Sequence, residues 1–471
     1  MESYTLLALY IAFLLALLLY LLIHRLFPHL RLHSHSPRTN PHPTVHKYTF
    51  ASDCRTIIQA SEIPSGPRNR LTHYQSRALE NQELKRVFGI QNAFTTGDEV
   101  LARAFVKRAH NRLRLSRKDW VDLGHVLRGV VWELLEELST STDLCDEDRV
   151  EGEGTVRVKM TPLMQALALK ISLWAVFNMR RPVSNSALIS LGSRIHKTWL
   201  DMKTGRPVSD FKDNKDFHEH LYAVFPYQDY NIHNSATNPL NWILPSFETM
   251  WRIALRTFIE LKSRKEYSYG AVLIAFARKP THAQFEQMYA DPTVDDNDED
   301  ERSVSADYLV KEALRLYPPT RRIRRTFHFP TPTTTTTSTS TSDTSRPTFP
   351  TKKTLISLTA TADIECCHLS HQVWGGDATE FNPARWKKLT PVQGLSFLAF
   401  GSRPMLCPAA REFGPRVVGL IVGVLMDELR GWEVVDMDRD KHGGEVVGSG
   451  GERLRNDRGA YADLEIVRGI E

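Results

Sequence analysis

Cysteine is scarce in these 471 residues, and its pattern excludes two fold-building devices at once. The five cysteines, at positions 54, 145, 366, 367 and 407, are odd in number and show no C-x-x-C spacing. Neither a disulfide framework nor a zinc site is signalled, and a reducing compartment suits them. No Asn-x-Ser/Thr acceptor occurs, which agrees with a domain that stays out of the secretory lumen. Charge of one sign is also lacking: a net charge of +5 from 60 basic and 55 acidic residues is too weak to argue for nucleic acid. What is there is a chain 41% hydrophobic, long enough to bury one large α-rich core or two ordinary ones.

The amino end is the first positive feature. Thr5 to Ile23, TLLALYIAFLLALLLYLLI, holds 19 residues without a charge, and as a helix it would span about 28 Å, close to the thickness of bilayer hydrocarbon. It reads as a membrane anchor over residues 1–27; a cleaved signal peptide is the competing reading, but no positive n-region precedes the run and no A-x-A-like site follows. Arg25 and Arg31 follow it while Glu2 is the only charge before it, so the rest of the chain is expected in the cytosol. Residues 28–50 then read as a stiff connector with Pro28, Pro37, Pro41 and Pro43, whose histidines lack the spacing of a metal site.

From residue 51 the pattern is helical. Thr96 and Asp98 signal a helix start, and Arg103 to Lys118 carries seven basic residues and no acidic one, a solvated face or a docking surface for an acidic partner. Trp132 to Leu138, Leu163 to Trp174 and Ser190 to Trp199 have the periodicity of core helices. Asn238-Pro239 opens a long helix with Pro245 inside it, expected to kink there, beside Glu248-Thr249. Asp291 to Glu301 reads as a solvated acidic loop. Glu312 and Arg315 share a helix face three residues apart, as a bidentate pair requires. Pro330 to Pro350 is a Thr/Ser-rich tract unable to bury a core, and is read as an inserted surface loop. Gly443 to Gly451 reads as a turn into short strands. In FGSRPMLCPA, Cys407 follows irregular backbone and precedes an apolar helix, so it is expected at a helix N-terminus, where amide N–H groups favour a thiolate; a buried structural cysteine is the plain alternative.

That loop, from Phe400 to Cys407, resembles the haem-binding loop of the cytochrome P-450 family, and three further segments match in the family's order. Glu248-Thr249 resembles the acid-alcohol pair of the family's central helix, Glu312-x-x-Arg315 followed by LYPPTRRIRR resembles its ExxR helix and next strand, and FNPARW resembles its PERF-like segment. The resemblance implies a mainly α fold with a small β region, the cytochrome P-450 fold, preceded by a single transmembrane helix. It implies haem held by the Cys407 thiolate, with Phe400 packed beside it, and Arg325 reaching a haem carboxylate. Arg108, with Arg103 and Lys107 on the basic helix, is a further candidate for such a contact. Arg385 would complete a network with Glu312 and Arg315, and Glu248 and Thr249 would deliver protons during oxygen activation. Three departures stand out: Arg403 replaces the usual glycine four residues before the cysteine, Met405 replaces the usual basic residue two before it, and Pro245-Ser246 replaces the small residues ahead of the acid.

The expected function is that of a microsomal, fungal-type monooxygenase at the endoplasmic reticulum membrane, inserting one oxygen atom into a lipophilic small molecule, in secondary metabolism. NADPH would supply electrons through a separate NADPH-cytochrome reductase, and the partners would be reductase, substrate and membrane lipid, with no nucleic acid. Two other readings stay open: a haem isomerase or dehydratase of the same fold that needs no reductase, and a non-catalytic membrane-anchored protein with a degenerate haem loop.

Overall fold

The computed structural model describes residues 45–142, 155–226, 230–231, 234–263, 267–290, 303–330, 355–436 and 453–469. They belong to one compact unit, Thr44–Glu471; the other unit, Met1–Pro43, lies outside the described residues, and with it the expected anchor Thr5 to Ile23. Among the described residues no helix is long and apolar enough to cross a membrane. The tract 331–354, the whole acidic loop Asp291 to Glu301 and the glycine run 443–451 also lie outside them.

The longer helices are α1 (Ala51–Gln59), α2 (His73–Glu80), α3 (Glu99–Arg112), α4 (Arg117–Thr142), α5 (Met160–Val176), α6 (Asn185–Thr204), α7 (Lys215–Val224), α8 (Leu240–Ser263), α9 (Tyr267–Arg278), α10 (Ala306–Leu316) and α11 (Phe413–Glu428). The three periodic segments expected as core helices fall inside α4, α5 and α6. α5 is buried on every side, as its nearly unbroken apolar sequence requires, and it packs against α4, α6 and α8. α11 lies against α9 so closely that a Cβ on Gly423 would stand 2.2 Å from the Leu273 carbonyl oxygen, which only glycine permits.

Two three-stranded sheets flank the helices. The first has the order β1-β4-β3, formed by β1 (Val45–Tyr48), β4 (Leu355–Asp363) and β3 (Arg322–Pro330); the second has the order β2-β6-β5, from β2 (Thr155–Lys159), β6 (Leu464–Gly469) and β5 (Glu433–Asp436). β1 pairs parallel to β4 from Val45 opposite Thr359 to Tyr48 opposite Ala362. The expected connector of residues 28–50 therefore ends before Val45, because four residues read as linker supply a strand. β3 pairs antiparallel to β4, with Arg325 opposite Ala360.

The long helix begins where Asn238-Pro239 signals it. The Asn238 side chain accepts from Leu240 N at 2.9 Å, and the helix continues through Pro245. Proline has no N–H for the carbonyl four residues back. That carbonyl, on Asn241, accepts instead from the Asn92 side chain at 3.0 Å, so the proline leaves no orphaned group there.

Candidate haem-thiolate site

Cys407 closes its own loop. Its N–H donates to the Phe400 carbonyl at 2.9 Å, and Gly401 takes φ = 75°, where a side chain would be strained. The Phe400 ring lies over Gly414 at the start of α11; a Cβ there would approach it to 2.9 Å. The cysteine is not at a helix N-terminus as expected, since α11 starts only at Phe413 and the intervening residues 408–412 form turns that cannot present the helix dipole to it. Burial pushes the Cys407 thiol up from its ordinary pKa, and the Ala409 amide, donating to the sulfur, opposes that shift. A half-buried sulfur with an amide donor suits a soft metal that binds the thiolate.

Behind the loop lies a polar network centred on a pair with no solvent contact. Glu312 and Arg315 on α10 are fully buried and paired bidentately, at 3.0 Å from Nε and 2.7 Å from Nη2. Arg315 spends its other donors on the carbonyls of His368, Ala378 and Glu380. Arg385 donates to Glu312 at 3.0 Å and to Asp377 at 2.8 Å, and Trp386 Nε1 and Asn382 N also donate to Glu312. The ExxR pair and Arg385 thus meet, as the resemblance implied, but they contact protein groups on all sides and act by holding the loop.

The link from this network to the cysteine loop passes through a residue that motif reading missed. His368 Nε2 accepts from Leu398 N at 2.8 Å, so its proton sits on Nδ1, which donates to the Arg315 carbonyl at 3.0 Å. Burial pushes its pKa down to about 3, which keeps the ring neutral. Leu398 lies two residues before Phe400, so one imidazole fastens the start of the loop to α10.

The expected cationic contacts divide. Arg325 is 5% exposed and donates to the carbonyls of Ile58 and Arg324, with burial, then the charge of Arg77, lowering its pKa to about 9. Arg108 is exposed on α3, its guanidinium 5.9 Å from the Trp242 ring centre, while Arg112 covers that ring at 4.2 Å. Arg103 pairs with Glu99 on the surface and Lys107 is exposed. The exposed heads on α3 keep their water, which accounts for the placement of Arg108, Arg103 and Lys107 away from the interior.

On α8 the acid and the alcohol part company. Between Asn241 and Met250 the half-buried positions are Trp242, Pro245, Ser246 and Thr249, a stripe at helical spacing on an otherwise buried helix. Trp242 stacks on Phe105 at 4.3 Å, and Met405 of the cysteine loop packs against the same small apolar cluster, so the stripe carrying Thr249 starts at a cluster that the loop shares. Thr249 Oγ1 donates back to the carbonyls of Pro245 and Ser246 at 3.3 and 3.2 Å. Glu248 points elsewhere: it is 3% exposed, accepts from Arg252 Nε at 3.1 Å and faces His196 Nδ1 at 3.6 Å. Burial would raise its carboxyl pKa, but His196 and Arg252 outweigh that and hold it low.

A helical protein that carries a half-buried thiol on a loop fastened to an ExxR network has the parts that a haem-thiolate site would need. The residues fit such a group: Cys407 offers the soft ligand, Phe400 an apolar contact, and the buried Arg325 a cation that no carboxylate within 4.0 Å neutralises among the described residues. No protein-family profile matches the chain. Over 128 residues it is 27% identical to the cytochrome P450 monooxygenase alt2 of Alternaria solani, covering 26% of this chain and 23% of that protein. It is 35% identical over 100 residues to cytochrome P450 52A9 of Candida maltosa (21% and 18%) and 45% identical over 42 residues to the cytochrome P450 monooxygenase apdE of Emericella nidulans (9% and 8%). The matched stretches thus span less than a quarter of these relatives' lengths. Over these stretches the chain is similar to fungal cytochrome P450 proteins. Two solved cytochrome P450 structures from Thermus thermophilus overlay 81% and 84% of the chain and 80% and 87% of their own, at 14% identity and TM-scores of 0.46 and 0.47.

Proposed function

We propose that this chain is a haem-dependent monooxygenase that inserts one oxygen atom into a lipophilic small molecule, with electrons from NADPH through a separate reductase. The observation that carries the reading is the Cys407 loop, which presents a half-buried sulfur with one amide donor and is tied through Leu398 and His368 to the buried Glu312–Arg315 pair. Haem bound there would supply the oxygen chemistry. The chain's part is to hold it: Cys407 Sγ as the ligand, Phe400 against the ring, Arg325 toward a carboxylate. Thr249 stands on the half-open stripe of α8, and its two back-bonds are long enough to exchange for a donation into the site, so its hydroxyl is the group that holds a proton there. The names of the Alternaria and Emericella relatives support the monooxygenase activity, and we assign the chain to secondary metabolism. The run Thr5 to Ile23 is taken as a single anchor in the endoplasmic reticulum, with the catalytic unit on the cytosolic side.

One observation favours a second reading. Glu248 is committed to Arg252 and His196 instead of pairing with Thr249, and an isomerase or dehydratase would not need that acid to relay protons. Thr249→Ala, assayed with reductase, NADPH and a turned-over substrate, separates the two. The monooxygenase reading expects NADPH consumption to continue while product falls and free peroxide rises. Turnover independent of reductase and NADPH would overturn it in favour of the isomerase.

A further inference from the structure

Arg77 belongs to none of the motifs, and the structure gives it an unusual position. It stands on α2, which packs against β3, and is 8% exposed. Its Nη2 donates to the Ala93 carbonyl, but its Nε is buried with no hydrogen-bond partner. Arg325 lies near enough in β3 for the charge of Arg77 to disfavour its own, and it too donates only to main-chain carbonyls. Among the described residues neither guanidinium has a carboxylate partner within 4.0 Å. Glu80, the acid whose charge reaches Arg325, accepts from the hydroxyls of Thr326 and Thr359 instead.

Two buried like charges without a counterion are costly, and proteins keep such an arrangement where an anion completes it. The surroundings agree. His73, one turn before Arg77, is held below its ordinary pKa by burial first, and the charges of Arg77, Arg103 and Arg325 add to that against Glu99. Arg77 itself is lowered by burial to about 10. Met405 of the cysteine loop packs against two apolar clusters, one that includes Ile58, whose carbonyl Arg325 contacts, and one that includes Ala93, whose carbonyl Arg77 contacts. Met405 stands two residues before Cys407, so the loop brings no cation of its own at that place.

We infer that Arg77 is a second anchor for the haem carboxylates, reaching from α2 to supply the cation that Met405 does not provide in the cysteine loop. The inference rests on the haem reading above. Its charge logic is simple: a dianionic ligand between Arg77 and Arg325 pairs both guanidinium groups, occupies the free Nε and removes their mutual repulsion.

The test compares two ligands in the full-length holoprotein. Haem and its dimethyl ester, which lacks the carboxylate charges, are loaded into the wild type, Arg77→Met and Arg77→Lys, and their release to excess apomyoglobin is timed. Arg77→Met should release haem at least tenfold faster than the wild type but release the dimethyl ester at the wild-type rate, with Arg77→Lys between. If Arg77→Met hastens the release of both ligands equally, Arg77 acts through packing and the inference is overturned; wild-type release of haem overturns it as well. Should Cys407→Ala lose the thiolate spectrum while Arg77→Met behaves as wild type, only the role of Arg77 fails. A wild type that takes up no haem overturns the inference and the reading beneath it together.

Discussion

The region around Glu312 and the region around Arg325 bury the same kinds of group with opposite results. At Glu312 one carboxylate meets Arg315, Arg385, Trp386 Nε1 and Asn382 N, and Arg315 spends its remaining donors on three carbonyls. At Arg325 the charge meets only carbonyl oxygens, and its neighbour Arg77 keeps a buried Nε without a partner. Burial is alike in the two places, so burial alone says nothing about role. Completion of the hydrogen bonds does. A network closed by the chain itself is scaffold, whereas a buried cation left open marks where something other than the chain belongs.

The closed side should break hardest. Arg315→Ala leaves the Glu312 carboxylate buried with Arg385 as its remaining ionic partner, and removing one member of such a pair costs about 3–5 kcal/mol. Urea unfolding measures it; a loss below about 1 kcal/mol would mean that Arg385 and Trp386 suffice to hold the carboxylate.

His368→Ala should cost less, about 2–3 kcal/mol, because two buried groups, Leu398 N and the Arg315 carbonyl, each lose a partner. It also carries a pH signature. The folded-state pKa of about 3 lies below the unfolded value of about 6.5, so the folded chain binds fewer protons in that interval. The contribution of His368 is therefore complete above about pH 6.5 and declines by up to about 1.4 kcal/mol per unit as pH falls toward 3. Unfolding followed from pH 7 to pH 5 should show a shallower fall in the variant than in the wild type. Equal slopes would show that the imidazole is not buried neutral.

The open side should barely respond in the absence of haem. Arg325→Met removes a buried charge that has no ion pair to lose, so the stability of protein produced without haem should change by no more than about 1 kcal/mol. A loss comparable with that of Arg315→Ala would erase the distinction between the two regions.

Much of the closed region was legible in the sequence. The three-residue spacing of Glu312 and Arg315, and the arginine of FNPARW, mark contacts that the fold then makes. Asn238-Pro239 marks the start of α8 in the same local way. Local signals carried less far elsewhere. His368 and Arg77 act through partners 30 or more residues and 16 residues away, respectively, and neither stands in a periodic pattern that would single it out. The separation of Glu248 from Thr249 did have a signal: ETMWR places an arginine four residues after the acid, the spacing of a helical ion pair, and that pairing is the one found. Val45 to Tyr48 was lost in the connector because a short edge strand is defined by its partner, here β4, more than by its own residues. The expected helix N-terminus at Cys407 failed because the five residues before α11 are turns, which an apolar pattern running from Val417 does not reveal.

The central claim is that Cys407 binds haem iron through a thiolate. The most direct measurement is the reduced carbon monoxide difference spectrum of the purified full-length protein beside that of Cys407→Ala. The account predicts the thiolate-type band in the wild type and its loss in the variant. A thiolate band that persists without Cys407, or a wild type that holds haem yet never shows that band, would contradict it.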